Sequence, residues 1–250
     1  MRSSCPAPSS FLSSPILLFA IGFLTCVSLP AVAGDLQNQL DARRDAFLEK
    51  ASPEIIRSQE KALADLEASG LVDQALNVGD EARDFTLGDP DGESVRLSDL
   101  LKEGPVVLTW YRGAWCPYCN IALASLAKHN DDFQKLGATL VALTPELPDT
   151  NSETVEKQGL PFEVLSDIDH KVADEYGLVF KLNDDTRKRY QEKFHLVERS
   201  GERAADRLPL AATYVIGTDG VIRYAFLDAD YRRRAEPDAI LATLKQLQAE

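Results

Sequence analysis

Two cysteines three positions apart, Cys116 and Cys119, lie inside the run W-Y-R-G-A-W-C-P-Y-C-N from Trp110 to Asn120. A C-x-x-C pair can cycle between dithiol and disulfide, hold half of a zinc site, or form an inert short disulfide. Tetrahedral zinc needs two further ligands, and His129, His170 and His195 show no paired spacing to supply them. A staple gains most from closing a long loop, and two intervening residues remove little chain entropy. Reversible thiol chemistry is the expectation. An apolar strand, Val106 to Tyr111, runs into a turn containing Gly113, and a helix is expected to start at or just after Cys116. The free N–H groups and dipole at that helix start favour thiolate over thiol, which makes Cys116 both a nucleophile and a good leaving group. Pro117 suits a first helical turn, where its missing N–H does no harm. Cys119 shares the helix face and points inward, so it is assigned the resolving role. Trp115, Tyr118 and Tyr111 are candidates to wall the site, with plain core packing as the alternative for all three, and for Tyr111 above all. No cofactor is implied.

The elements that must position this loop alternate between strand and helix from Val78 onward. Phe85 to Leu87 and Val95 to Leu97 flank an Asp91-Gly92 turn and read as a hairpin. After the strand Val106 to Tyr111 come a helix to Leu136 ended by Gly137, and a strand Thr139 to Leu143. A helix near Ser152 to Gln158, a strand Phe162 to Leu165 and a helix Val172 to Tyr176 follow. A strand Thr213 to Ile216, an Asp219-Gly220 turn, a strand Val221 to Phe226 and a helix Ala239 to Leu247 complete the pattern. This texture predicts an α/β domain over 76–250 with a mixed sheet flanked by helices. Residues 181–208, highly charged, read as an insertion on that frame. Residues 34–75 read as a helical N-terminal arm interrupted at Pro53 and stopped at Ser69-Gly70, packed on its own domain rather than on a partner.

Residues 1–33 have the pattern of a leader. Arg2 precedes an apolar run of 14 residues, Ile16 to Leu29, and Ala31-Val32-Ala33 forms an A-x-A site. A retained anchor is the alternative, although a comfortable span needs about 20 apolar residues. Thr25 before Cys26 does not suit a lipoprotein signal. The expectation is export to the periplasm or medium, with cleavage before Gly34 and no membrane attachment afterwards. Only Arg2 of the 27 Lys and Arg, and none of the 40 Asp and Glu, precedes Gly34, so the processed chain carries a formal charge of −14. Such a chain has no electrostatic reason to bind nucleic acid or anionic lipid. The triplet Arg232-Arg233-Arg234 is a local exception and reads as a solvated surface.

W-C-P-Y-C after an apolar strand resembles the active site of the thioredoxin superfamily. Over residues 76–250 the chain resembles the AhpC/TSA peroxiredoxin family more closely, in the branch with Y-R-G-x-W-C-P-Y-C and a helical arm. V-G-D-E-A-R-D-F-T-L from Val78 to Leu87 resembles that family's opening V-G-x-x-A-P-D-F-x-L. Leu160-Pro161-Phe162 with Leu165-Ser166-Asp167, and Thr213 to Ile216 with Asp219-Gly220, resemble its later blocks. The resemblance implies a thioredoxin-like fold and a thiol-dependent peroxidase. Cys116 would attack hydrogen peroxide or an organic hydroperoxide, Cys119 would close the disulfide, and a thioredoxin-like dithiol would reset it. A thiol–disulfide oxidoreductase acting on exported proteins is the alternative. The family pocket P-x-x-x-T-x-x-C has Thr109 in place of its Pro and Gly113 in place of its Thr, and Ala211-Ala212 stand where a late Arg is usual. Arg112 is the candidate to supply that charge, a solvated turn arginine being the alternative. Trp110 and Ala212 occupy the places of thioredoxin's buried Asp and cis-proline.

Overall fold

The computed structural model describes residues 34–249, so the expected leader, 1–33, lies outside the described residues. The arm forms α1 (Asp35–Leu48), α2 (Pro53–Ala68) and a short α3 (Leu71–Gln74). Pro53, which interrupts the apolar pattern, opens α2 at a position that tolerates proline, and the Ser52 side chain accepts from the Ile55 N–H at 3.4 Å. Leu36 and Leu40, one helical turn apart, are fully buried and dock α1 on the helix that carries Cys119. No residue of α2 is fully buried.

Beyond the arm, β1 (Thr86–Gly88) and β2 (Ser94–Arg96) form the expected antiparallel hairpin. Its turn is held by the Asp89 carboxylate, which accepts from the N–H groups of Asp91 and Glu93. Then come α4 (Leu97–Glu103), β3 (Val106–Trp110), α5 (Pro117–Lys135), β4 (Thr139–Thr144), α6 (Pro148–Gln158), β5 (Glu163–Ser166) and α7 (Lys171–Glu175). The chain continues through β6 (Val179–Lys181), α8 (Asp184–Phe194), α9 (Leu196–Ser200), β7 (Arg207–Pro209), β8 (Thr213–Ile216), β9 (Ile222–Phe226) and α10 (Pro237–Leu247). The five-stranded sheet has the order β5-β4-β3-β8-β9, with β3, β4 and β5 parallel and β8 and β9 antiparallel. This is the mixed, helix-flanked thioredoxin-like sheet that the sequence predicts.

Strand β3 lies at the centre and is buried on both faces, which is why it reads as an unbroken apolar run. Its alternate residues serve different cores. Val106, Leu108 and Trp110 face a cluster with Tyr176 and Tyr214, while Val107 faces α5 and α10. Trp110 sits with its ring centre 4.8 Å from that of Tyr176 and 5.9 Å from that of Tyr214. An aromatic cluster thus fills the place of a buried carboxylate. Thr109 Oγ1 meets Thr213 Oγ1 at 2.8 Å across the β3–β8 pair, a polar bridge inside the sheet.

The stretch 181–208 stands outside the five-stranded sheet. Strands β6 and β7 close it as an antiparallel pair, and Leu182, Tyr190, Leu196, Ala205 and Leu208 give it a small core of its own. Most of its charged residues are exposed, whereas Arg199 pairs with the buried Glu146 and Tyr190 and Phe194, four apart on α8, turn inward to meet Trp115. Among the described residues no helix is long and apolar enough to cross a membrane.

Candidate active site

The site forms where the parallel strands end. The chain leaves β3 at Trp110, turns through 111–116 and enters α5 at Pro117, with Cys116 as the extended residue before the first turn. Gly113 has φ of +140°, and a Cβ there would run into the Trp115 indole. Gly113 and Trp115 are therefore a matched pair: the threonine of the family pocket cannot stand here while this tryptophan does. Cys116 N–H donates to Gly113 O at 3.1 Å, and Asn120 Nδ2 donates to Ala114 O at 2.9 Å, closing the loop on the helix. No acid occupies the first turn of α5, so its N-terminal dipole is left to Cys116.

A second support comes from the loop after β4. Glu146 is fully buried, accepts from the Ala114 N–H at 2.7 Å and pairs with Arg199 of α9. Burial pushes its pKa up, and the Arg199 and Ala114 contacts pull against that. Asn151 of α6 joins from the same side, donating to Glu146 O and Ser166 Oγ and accepting from Tyr111 Oη at 3.3 Å.

Arg112 is 3 % exposed, not a solvated turn residue. Its guanidinium lies 4.2 Å from the Tyr231 ring centre, 5.0 Å from that of Trp115 and 5.4 Å from that of Tyr190. Nη2 donates to Tyr190 Oη at 3.1 Å, and Nη1 is 4.0 Å from Cys116 Sγ. Among the described residues it has no carboxylate partner within ion-pair distance. A buried cation needs an anion, and the Cys116 sulfur is the group placed to be one.

The triplet is likewise not a uniform solvated surface. Arg232 pairs with Asp230 and Glu60, and Arg233 with Asp228, but Arg234 is 6 % exposed and its Nη2 donates to Cys119 Sγ at 3.4 Å. Nη1 of Arg234 is fixed by the carbonyls of Tyr231 and Arg233. The charge missing at Ala211 and Ala212 thus reaches the cysteines from another segment.

The two thiols titrate in opposite directions. Burial raises both. For Cys116 this is outweighed by the hydrogen bond from the Cys119 thiol, the charges of Arg112 and Arg234 and the Cys119 backbone N–H, which bring it down to about 5. Cys119, buried and donating to its neighbour, is held well above the ordinary thiol value. Both are free thiols in this structure. The more acidic of the two thiols is thus the one at the helix start. Among the described residues no cluster of three or more His, Cys, Asp or Glu is placed to hold a metal ion.

Cys116 opens onto a cavity of about 360 Å³ whose walls include Trp115, Tyr118 and Tyr231, together with residues of α1, α2 and α8. Trp115 and Tyr118 are walls, as expected. Tyr111 is not: it is buried beneath the pair, packed with Leu36, Cys119 and Leu123. Sequence reading missed Glu146, Arg199, Tyr190, Phe194, Tyr231 and Arg234. The i, i+4 aromatics of a charged helix signalled Tyr190 and Phe194; nothing local signalled the others.

A thioredoxin-like sheet thus presents a low-pKa cysteine and a second cysteine at the start of α5. The profile of the AhpC/TSA family matches residues 78–225, and the chain belongs to that family. Peroxiredoxin Bcp of Escherichia coli K12 is 36 % identical over 104 residues, which cover 41 % of this chain and 65 % of the relative. Peroxiredoxin Bcp of Bacillus subtilis is 30 % identical over 125 residues, 50 % of this chain and 76 % of the relative. The crystal structure of peroxidoxin BcpB from Mycobacterium tuberculosis superposes with a TM-score of 0.54 at 25 % identity, over 68 % of this chain and 97 % of that one. The match thus spans a little under two thirds of the E. coli relative's length, and the arm, 34–75, lies outside the family match.

Proposed function

We propose that this protein is a thiol-dependent peroxidase. The observation that carries the proposal is the Cys116 sulfur, 4.0 Å from a caged Arg112 and beside the Cys119 thiol, at the buried end of an open cavity, a setting that lowers its pKa. Cys116 attacks the distal oxygen of a hydroperoxide, the O–O bond breaks, and the departing alkoxide or hydroxide takes a proton from solvent. Fixed positive charge from Arg112 stabilises the negative charge that develops on the departing oxygen. The sulfenic acid on Cys116 condenses with the Cys119 thiol, releasing water and leaving a disulfide. A thioredoxin-like dithiol reduces that disulfide and restores both thiols.

The relatives' names support this reading. So does the place of Cys116 at the inner end of a cavity, within reach of a small peroxide. The test is a competition on the purified chain between hydrogen peroxide and a small model disulfide for Cys116. A second-order rate with peroxide well above that with the disulfide is expected. A faster reaction with the disulfide would replace the peroxidase with the oxidoreductase.

The same proposal includes export, supported by the A-x-A pattern before Gly34. Secreted or periplasmic material is expected to have an intact mass starting at Gly34. Material retaining Cys26 would refute cleavage there.

A further inference from the structure

The second step of the proposed cycle needs a nucleophile where the reduced protein holds a proton. Cys119 has no exposure, and burial and the neighbouring Cys116 keep its thiol protonated. It has to lose that proton before its sulfur can attack. A small cavity of about 10 Å³, with room for at most one water, lies against it on the side away from the cavity at Cys116. Thr109, Trp110, Tyr111 and Arg234 are among its walls, and no Asp, Glu or His lines it. No basic side chain is therefore placed there to take the proton.

The charged group that faces Cys119 is Arg234. Its Nη2 donates to Cys119 Sγ at 3.4 Å, and the side chain is buried. Nη1 is held by the carbonyls of Tyr231 and Arg233, which fixes the plane of the guanidinium. Arg232 and Arg233 pair with carboxylates, whereas Arg234 has none within ion-pair distance among the described residues. The two cavities divide the two buried arginines. Arg112 and Cys116 line the large one, which Arg234 and Cys119 do not reach. Arg234 and Cys119 line the small one, which Arg112 and Cys116 do not reach. Each sulfur thus has its own guanidinium, and that of Cys119 lies where a hydroperoxide has no room.

We propose that Arg234 is a catalytic residue of the disulfide-forming step, its guanidinium stabilising the Cys119 sulfur as the anion that attacks Cys116. The inference rests on the peroxidase reading of the same site. While Cys116 is an anion, a second negative charge beside it is opposed, and Cys119 keeps its proton. Once a peroxide has turned Cys116 into a neutral sulfenic acid, that opposition ends and the charge of Arg234 remains. The Cys119 sulfur then attacks Cys116 Sγ; the S–S bond forms and the S–O bond breaks. The proton from Cys119 ends on the departing hydroxide, which leaves as water. The sulfenic sulfur is reduced as the Cys119 sulfur is oxidised, so no further oxidant or reductant enters this step.

The experiment separates the two steps in Arg234→Gln by rapid mixing with hydrogen peroxide, quenching, and counting sulfenic acid and disulfide by intact mass. Condensation is expected to slow roughly 10- to 100-fold, the scale of a lost hydrogen bond to a charged group. Oxidation of Cys116 near neutral pH should change by less than about threefold, because a thiol near 5 stays ionised there. The sulfenic acid should accumulate, and the pH profile of condensation should move upward. Arg234→Lys, which keeps the charge, should recover most of the lost rate. Condensation at the unaltered rate in Arg234→Gln would overturn the proposal. So would equal losses in the Gln and Lys variants with an unmoved pH profile, which would make Arg234 a brace for 231–233. Where Arg234→Gln does not fold, Cys116→Ser decides. With the neighbouring charge removed and Arg234 in place, Cys119 should titrate below the ordinary thiol value of 9.0, read by thiolate absorbance. Titration at or above that value would overturn the proposal. Should the unaltered chain reduce no peroxide, the peroxidase reading falls, and the same step is tested on another neutral form of Cys116. One equivalent of methyl methanethiosulfonate makes its methyl disulfide, from which attack by Cys119 releases methanethiol. Arg234→Gln should slow that release by a similar factor, and an unchanged release would overturn the role of Arg234.

Discussion

Cys116 and Cys119 are equally buried, and burial pushes both thiols up, so exposure cannot distinguish them. Placement does. Cys116 lies before the first turn of α5 beside Arg112, whereas Cys119 lies within the helix and donates its proton to its neighbour. Cys116→Ser is expected to abolish peroxide turnover. Cys119→Ser should consume one equivalent of peroxide and stall as a sulfenic acid that dimedone traps. The reverse pattern would exchange the two roles. Because the Cys116 thiol sits at about 5, the peroxide rate should be flat near neutral pH and fall as pH drops through that value. Arg112→Gln should move this inflection upward and lower the peroxide rate by about 10²–10³, the usual loss for a preorganised donor at a developing anion. Exchange with a small disulfide, measured above both thiol pKa values, should lose less, because only the thiolate effect operates there. Equal losses would show that Arg112 only tunes the thiolate.

Around these residues the supporting elements act as clamps on one loop. Helix α1 covers the pair from one side through Leu36 and Leu40, both essentially without exposure. Leu40→Ala should destabilise the fold by about 2–5 kcal/mol, the range for a buried leucine whose cavity cannot collapse, and should speed alkylation of Cys119. Denaturant unfolding and thiol labelling read the two effects separately. From the other side Glu146 ties Arg199 to the Ala114 N–H. Glu146→Ala leaves Arg199 without its carboxylate and a backbone donor unpaired, with an expected loss of about 2–4 kcal/mol. The Cys116 titration midpoint should shift as its loop relaxes, which simple loss of stability would not produce. Unchanged stability together with an unchanged Cys116 titration would show that Glu146 does not hold the loop. Sequence made the helices and strands legible because their apolar periods are local: Leu36 with Leu40, the run of β3, the stop at Gly137. It did not show Glu146, which is 32 positions from Ala114, nor which arginine of 232–234 turns inward. Three identical residues carry no sign of their different surroundings until α10 and α5 pack. The part that the 181–208 segment plays in the site was hidden for a related reason. Its composition reflects the many charged residues of its outer face, while its contribution to the site rests on Tyr190 and Phe194.

In the whole molecule, two buried guanidiniums, Arg112 and Arg234, depend for counter-charge on sulfur chemistry that changes during the proposed cycle. In the reduced protein Arg112 lies beside the Cys116 sulfur and Arg234 beside that of Cys119; in the disulfide the thiolate charge is gone. The folded-state pKa of Cys116 lies near 5 and the ordinary thiol value is 9.0, so the thiolate contributes stability that is complete above about 9 and lost as pH falls through about 5. At pH 7 roughly two pKa units of that difference are realised, or about 2–3 kcal/mol in favour of the reduced fold. Cys119, raised above the ordinary thiol value, is protonated in both folded and unfolded chains at neutral pH and adds nothing in this window. The disulfide has no such titration and contributes a pH-independent entropic term of about 2 kcal/mol for so short a loop. The two terms are similar in size, so it is the pH dependence of their difference that the structure fixes. Between pH 7 and pH 4 the Tm of the reduced protein should fall relative to that of the oxidised protein by roughly 4–10 °C for a chain of this length. Other titrating groups, the carboxylates among them, are common to both forms and largely cancel in the difference. Parallel melts of dithiol and disulfide protein across that range make the measurement. Parallel Tm curves would mean that Cys116 is not a thiolate in the folded dithiol, and would remove the electrostatic basis for its role as the nucleophile.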